Sequence, residues 1–357
     1  MPTPKFLATE NLLPWLTRQA ADRRVLAPVR EGEAVVFRPF ASGRTLCLDQ
    51  PATVSPKTAL IPPSETLMAY RYVKDPENPD KVVLDVHETL HTTPTLLFGV
   101  RPCDARGAAV IDRVFADPEN PDKYYTARRD TTVVASIACT TPAPTCFCHW
   151  TGGDPAGSEG SDILLTPVTG GYLALALTPR GEPFLEDEHF TAPPESAQDE
   201  AEAAHAAARE ALGEATDLTG APEHIAALFD HTDLWQQVSD KCLSCGVCSY
   251  VCPTCYCFNI TDEPKGSTGT RVRSWDNCMS ALFTLEGSGH NPRADKSQRF
   301  RNRVGHKFAY YPQSHGGEIA CVGCGRCIRS CPVSMDIREV LCGVLAHEPH
   351  TETEAQS

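Results

Sequence analysis

The chain has 357 residues, a net charge of −14 at pH 7 and 17 cysteines. Its length suits about two domains at roughly 100–200 residues each, with enough apolar material for a core that needs no disulfide staples. The acidic balance argues against nucleic acid and anionic membrane surfaces as partners, because like charges repel.

The opening residues show no basic segment followed by an apolar one, and no run approaches the roughly 18 apolar residues of a membrane span. The expected compartment is the cytoplasm, where thiols stay reduced. Seventeen cysteines there read as metal ligands, and an odd total fits a complete disulfide framework poorly.

Residues 1–180 read as an α/β (or α+β) N-terminal domain. The runs "EAVVF" (33–37), "KVVLDV" (81–86), "TLLFGV" (95–100) and "TTVVASIAC" (131–139) predict strands. "DILLTPVTGGYLALALT" (162–178) predicts a hairpin around Gly170 and Gly171. "CDARGAAVIDRVF" (103–115) has helical spacing, with Asp104 as the expected N-cap. The heptapeptide "DPENPDK" occurs at 75–81 and 117–123 with unlike flanks, and predicts two turns rather than a domain repeat. Residues 181–221 are Ala- and Glu-rich and predict a linker or surface helix. Residues 222–240 have apolar residues at helical spacing and lead into a cysteine loop, opening a second domain over 222–346. The tail, 347–357, is expected to be disordered.

Two cysteine runs dominate that second domain. Cys242-x2-Cys245-x2-Cys248-x3-Cys252-Pro253 is followed by Cys321-x2-Cys324-x2-Cys327-x3-Cys331-Pro332. Each matches the run that ligates [4Fe–4S] cubes, in which the fourth cysteine reaches the other cluster. The expected ligand sets are therefore Cys242, Cys245, Cys248 and Cys331 for one cluster, and Cys321, Cys324, Cys327 and Cys252 for the other. Zinc usually takes paired C-x2-C knuckles or mixed Cys/His sets, which two intact four-cysteine runs fit poorly. Cys255, Cys257 and Cys278 lie outside both runs and offer no evident fourth ligand. They read either as packed small hydrophobes or as a metal or redox site.

A third constellation lies upstream. Cys103 follows one predicted strand, Cys139 ends another, and Cys146 and Cys148 sit in "TTPAPTCFCHW". If the strands are neighbours, all four thiols meet at the C-terminal edge of the sheet, where α/β folds build sites. Spacing alone leaves three readings open: a further cluster, zinc, or ordinary cysteines.

The motifs "FGVRPCDARG", "TCFCHW", "CLSCGVCSYVCPTCYCF", "RSWDNC", "GHNPRADKSQRFRNRVGHKFAYY" and "CVGCGRCIRSCPV" resemble the iron–sulfur beta subunit of cytoplasmic NiFe hydrogenases of the sulfhydrogenase type. The chain is similar also to the A subunit of anaerobic sulfite reductase. The resemblance covers most of 60–345 and is specific for the superfamily rather than for one complex. It implies a mainly α-helical dicluster ferredoxin-like C-terminal domain and favours a third cluster on Cys103, Cys139, Cys146 and Cys148. It also implies an electron relay between a flavoprotein that binds FAD and NAD(P)H and a catalytic partner. That partner is a NiFe hydrogenase or a sirohaem sulfite reductase. The Ala/Glu-rich stretch 181–221 matches no motif of that family.

Arg293, Lys296, Arg299, Arg301, Arg303 and Lys307 make a basic run opposed locally by Asp295 alone. It reads either as a solvated helix face or as cations that raise cluster potentials. His290, His306 and His315 read as structural or surface residues. No G-x-G-x-x-G follows a strand, and "TGGDPAG" (151–157) lacks the Lys-Ser/Thr of a phosphate loop. No flavin or NAD site is expected on this chain, and no nucleophile–base constellation is visible. The expected function is a multi-cluster electron-transfer subunit without a catalytic site of its own. The alternatives are a catalytic redox subunit working at Cys255, Cys257 and Cys278, and a zinc scaffold.

Overall fold

A computed structural model describes residues 3–41, 43–90 and 92–348. Strand β1 (Lys5–Ala8) runs into α1 (Thr9–Asp22), β2 (Arg24–Glu31) and β3 (Ala34–Pro39). A 3-10 turn (Pro56–Ala59) precedes β4 (Ser64–Lys74), β5 (Val82–Glu88) and β6 (Thr95–Val100). Then come α2 (Pro102–Phe115), α3 (Lys123–Asp130), β7 (Thr132–Ile137), β8 (Ile163–Val168) and β9 (Gly171–Ala176). Next are α4 (Glu182–Leu185), β10 (Phe190–Thr191), α5 (Ala197–Ala211), α6 (Ala221–Ala227), α7 (Thr232–Ser239) and α8 (Val247–Tyr250). The hairpin β11 (Phe258–Lys265) and β12 (Thr268–Trp275) is followed by α9 (Lys296–Gly305), a π turn (His306–Tyr310), α10 (Tyr311–Ser314), α11 (Arg326–Arg329) and α12 (Ile337–Leu345).

Eight strands form one sheet in the order β10-β1-β9-β8-β7-β6-β2-β3. Its centre is parallel, β2 to β6, β6 to β7 and β7 to β8. Strand β6 is buried along its whole length, as a central parallel strand covered on both faces should be. Leu96 and Phe98 face α1 in a core with Trp15 and Leu16. Leu97 and Val100 share the other face with Ala105 of α2. That odd pairing of 97 with 100 comes from a bulge at Gly99, whose φ is +78° and whose missing Cβ leaves room for Pro28. Within 181–221, β10 extends the sheet beside β1. Helix α5 buries Ala197 and Ala201 against Leu173.

The C-terminal half packs α6, α7, α9 and α12 around Ile225, Trp235, Phe300, Val304, Phe308 and Leu341. Its helices are short, and the helical spacing over 222–240 resolves into two of them, α6 and α7. The expectation of a mainly helical unit meets a β-hairpin here. β12 pairs antiparallel with β4, giving a second sheet in the order β11-β12-β4-β5. Arg273 of β12 pairs with Glu65 of β4 at 2.7 Å, and Glu65 also holds Arg128 of α3 at 2.7 Å. Among the described residues no helix is long and apolar enough to cross a membrane. The expected disordered tail lies, from 349 on, outside the described residues.

Asp104 is not the N-cap of α2. Arg101 takes that position with Pro102 just inside, where a missing N–H costs nothing. The Asp104 carboxylate instead accepts two bonds from the Arg326 guanidinium, at 2.6 and 2.7 Å. Both side chains are 1% exposed. Arg326 also donates to the Ala52 carbonyl at 2.8 Å, so one residue of α11 fastens the C-terminal half to two points of the N-terminal half. Burial works against the Arg326 charge, but Asp104 holds its pKa well above the ordinary arginine value. Removing one partner of such a pair leaves a buried charge alone, at a cost of about 3–5 kcal/mol. Arg326→Met should therefore lower the urea midpoint of the anaerobic full chain sharply. The double variant Asp104→Leu/Arg326→Met should recover most of that loss, and a double variant no more stable than the single would refute this account.

Candidate metal centres

The two cysteine runs are built alike. In the first, a loop carries Cys242 and Cys245. Gly246 then turns left-handed at φ +77°, and α8 follows with Cys248. In the second, a loop carries Cys321 and Cys324, Gly325 turns at φ +69°, and α11 follows with Cys327. A left-handed turn suits glycine, and it reverses the chain so that three sulfurs face inward. Helices α8 and α11 pack against one another, so each run's last cysteine lies beside the other run.

Two cavities follow from this. The first is lined by Cys242, Cys245, Cys248 and Cys331 among Phe300, Met279 and Val340. The second is lined by Cys252, Cys321 and Cys324 among Phe147, Lys307 and Val322. Cys327 borders both. Among the described residues, no three His, Cys, Asp or Glu side chains converge to hold a single metal ion. The donor set and the walls fit a cube of iron and sulfur. Backbone N–H groups of Ser244, Gly323 and Arg326 donate to the sulfurs of Cys242, Cys321 and Cys324. As free thiols these groups resist ionising: burial raises Cys321 to about 11 and also raises Cys248, Cys324 and Cys327. Metal ligation removes those protons outright.

Positive charge surrounds the thiols. Arg299, Arg303 and Lys307 recur every four residues along α9 and the π turn, and all three are buried. Arg299 is spent on backbone carbonyls of Met279, Arg293 and Ala294. Arg303 donates to the Cys248 carbonyl at 3.0 Å, to Ser249 Oγ at 3.2 Å and to Cys255 Sγ at 3.6 Å. Lys307 reaches Thr254 Oγ1 at 2.7 Å and Cys252 Sγ at 3.5 Å. Burial opposes both charges, yet the neighbouring thiolates hold both pKa values above their ordinary levels: Cys252 and Cys255 for Lys307, and Cys248 and Cys255 for Arg303. A solvated helix face does not describe these residues. Lys57, from the 3-10 turn of the N-terminal half, donates to the carbonyls of Cys255 at 2.7 Å and Ser249 at 3.1 Å. It also lies over the Trp275 ring. Burial lowers its pKa, with Cys255 and Cys252 opposing that shift.

The four upstream cysteines lie near enough for pairs of them to interact electrostatically. β6 and β7 are parallel neighbours, so Cys103 and Cys139 leave the same sheet edge. Cys139 feels Cys146, and Cys148 feels both, while burial raises the pKa of Cys139 and takes that of Cys148 to about 12. The loop that carries Cys146 and Cys148 is bonded to the second run, Phe147 N–H donating to the Gly323 carbonyl at 2.8 Å. Gly323 has φ +60°, and any side chain there would strike the backbone of Phe147 and Cys148. Cys103 lies close enough to Cys324 for their charges to interact.

Sequence reasoning missed Lys57, Asp104 and Arg326 as parts of this region. It also left the basic run undivided, although the spacing of 299, 303 and 307 marks one helical face. His306 bonds Tyr256 Oη at 3.1 Å, and burial lowers its pKa to about 4. His315 stacks on Tyr311. Both are structural.

A family profile described as a 4Fe-4S dicluster domain matches residues 241–335. Over 323 residues the chain is 30% identical to Sulfhydrogenase 2 subunit beta of Pyrococcus furiosus, spanning 89% of this chain and 91% of that protein. No solved structure matches the chain. The dicluster profile covers both cysteine runs, and the similarity to the sulfhydrogenase subunit runs through both halves: the chain is an iron–sulfur electron-transfer protein and belongs to the family of sulfhydrogenase beta subunits.

Proposed function

We propose that this chain is the multi-cluster relay of an oxidoreductase complex in the cytoplasm. It passes single electrons between a flavoprotein partner that handles NAD(P)H and a catalytic partner of the NiFe hydrogenase or sulfite reductase type. One observation carries the reading: two cysteine-lined cavities lie side by side, each completed by the fourth cysteine of the other run. Cys242, Cys245, Cys248 and Cys331 hold one [4Fe–4S] cluster, and Cys321, Cys324, Cys327 and Cys252 hold the second. Cys103, Cys139, Cys146 and Cys148 hold a third beside the second. When bound, each cube takes up or gives one electron. The chain's own residues do the rest. Thiolates fix each site, apolar walls such as Phe300, Val340 and Phe147 keep water out, and Arg303 and Lys307 favour the more negative state.

The crossed ligation is tested by Cys331→Ala, which should damage the cluster on Cys242, Cys245 and Cys248, and by Cys252→Ala, which should damage the other. Anaerobic wild-type protein should contain about 12 iron atoms, at four per cube. Electron paramagnetic resonance showing each run keeping its own four-ligand cluster in these variants would overturn the assignment.

Lys307→Met removes a buried cation next to Cys252, so the reduced state of that cluster loses its compensation. At a fixed poise its reduced-to-oxidised ratio should fall about tenfold, equivalent to about 59 mV for one electron. A mediated redox titration would read this directly, and an unchanged midpoint with iron retained would contradict it.

Hydride donors release electrons in pairs, and a flavin bridges pairs to single electrons. The isolated chain should be bleached by dithionite but not by NADH or NADPH until the flavoprotein partner is added. Rapid bleaching by NAD(P)H in flavin-free, partner-free protein would transfer the reaction to this chain.

A further inference from the structure

Cys257 and Cys278 remain outside all three proposed ligand sets. They lie at the mouth of the β11–β12 hairpin. The ladder ends at Phe258 and Trp275, and Asp276 N–H extends it by donating to the Cys257 carbonyl at 2.9 Å. This closure sets the two thiols near enough for their side chains to interact and raise the pKa of Cys257, with the Cys278 backbone N–H opposing that shift. Cys278 is 8% exposed, whereas Cys257 is half-buried. On its other side Cys278 Sγ lies 3.8 Å from Ser249 Oγ, which accepts from Arg303 at 3.2 Å. Ser249 directly follows Cys248, and the Cys248 and Cys278 thiols are near enough to interact electrostatically.

Simple packing asks only for small apolar groups at these two positions. Here the two thiols interact with each other, and a polar chain of Ser249 and Arg303 leads from Cys278 to a cysteine of the first run. Neither cavity of the cysteine runs is lined by Cys257 or Cys278, so the pair adjoins those sites without belonging to them. Two thiols so placed can close to an S–S bond of about 2.05 Å.

We propose that Cys257 and Cys278 are a redox-active dithiol that stores an electron pair beside the one-electron carriers. On oxidation two S–H bonds break and one S–S bond forms. Two protons leave through the half-buried Cys257 side, and two electrons leave singly to two oxidised iron–sulfur carriers, each reduced by one. The reverse reaction takes the same two electrons and two protons back and restores both thiols. The inference rests on the cluster reading above for its electron acceptors, and it gives a relay of single electrons a place to hold two.

The test uses the full chain, purified anaerobically, with iron measured first. One portion is reduced with dithionite and another oxidised with thionine. Both are quenched in acid, alkylated with N-ethylmaleimide, digested and mapped by mass spectrometry. The oxidised portion should yield a peptide pair linked through Cys257 and Cys278, and the reduced portion should yield both cysteines alkylated. A reductive titration should consume two electrons beyond one per four irons. Cys278→Ser should keep its iron but lose the linked peptide and the two extra electrons. Should that variant fail to fold, the wild-type peptide map and electron count still decide. Full iron with both thiols alkylated in both portions overturns the dithiol alone. A linked peptide in protein that binds no iron keeps the pair and overturns the cluster reading.

Discussion

Among the described residues, Lys57, Arg303 and Lys307 are buried with no carboxylate in ion-pair contact, and this uncompensated charge is the constraint around which the C-terminal half is arranged. Removing an ammonium or guanidinium from water costs several kcal/mol even after relaxation. Backbone carbonyls and the Trp275 ring supply only part of that. What faces these cations is sulfur: Cys252, Cys255 and Cys248. A thiolate-ligated [4Fe–4S]²⁺ site carries −2, so two such sites outweigh three cations. The same thiols in protonated form would leave the cations stranded. Folding of this region and occupation of its cysteine sites are therefore linked, as binding to the folded state alone stabilises it.

The contrast with Arg326 sharpens the point. That guanidinium is equally buried, yet it meets Asp104 in a two-bond pair. Its role is to join the halves, and its charge is cancelled where it stands. Nature of partner separates the two kinds of buried cation: carboxylate where the charge is structural, sulfur where it bears on electron affinity.

Local chemistry was legible in the sequence, and distant chemistry was not. The cysteine runs announce themselves because ligand spacing is fixed within a dozen residues. The strands ending before Cys103 and Cys139 are legible because β-branched runs mark buried parallel strands. Asp104 was misread because a local capping rule offered it a role, while its true partner stands 222 residues away. The hairpin over 258–275 escaped notice because β11 is exposed along its whole length and its apolar–polar alternation stops after Ile260. Lys57 gave no signal at all. A lone lysine in "PKTAL" becomes a buried cation only through tertiary packing against Ser249 and Cys255.

Exposure is not uniform along the proposed path, and this bears on its direction of use. Cys245, at one edge, is exposed beside the 63%-exposed Leu243. The second run sits deeper, pressed against the loop of Cys146 and Cys148 through the Gly323 carbonyl. The upstream cysteines then lie at the C-terminal edge of the large sheet, a second half-buried margin. A site reached from the surface at both ends, with its middle sealed by Phe147, Val322 and Phe300, has the layout of a conduit rather than of a terminus. An enzyme that binds and turns over a small molecule needs one solvent-accessible chamber beside its reactive group. Here the spaces lined by the two cysteine runs are walled largely by apolar side chains. Electrons can cross such walls by short steps, and that is the layout the proposed relay needs.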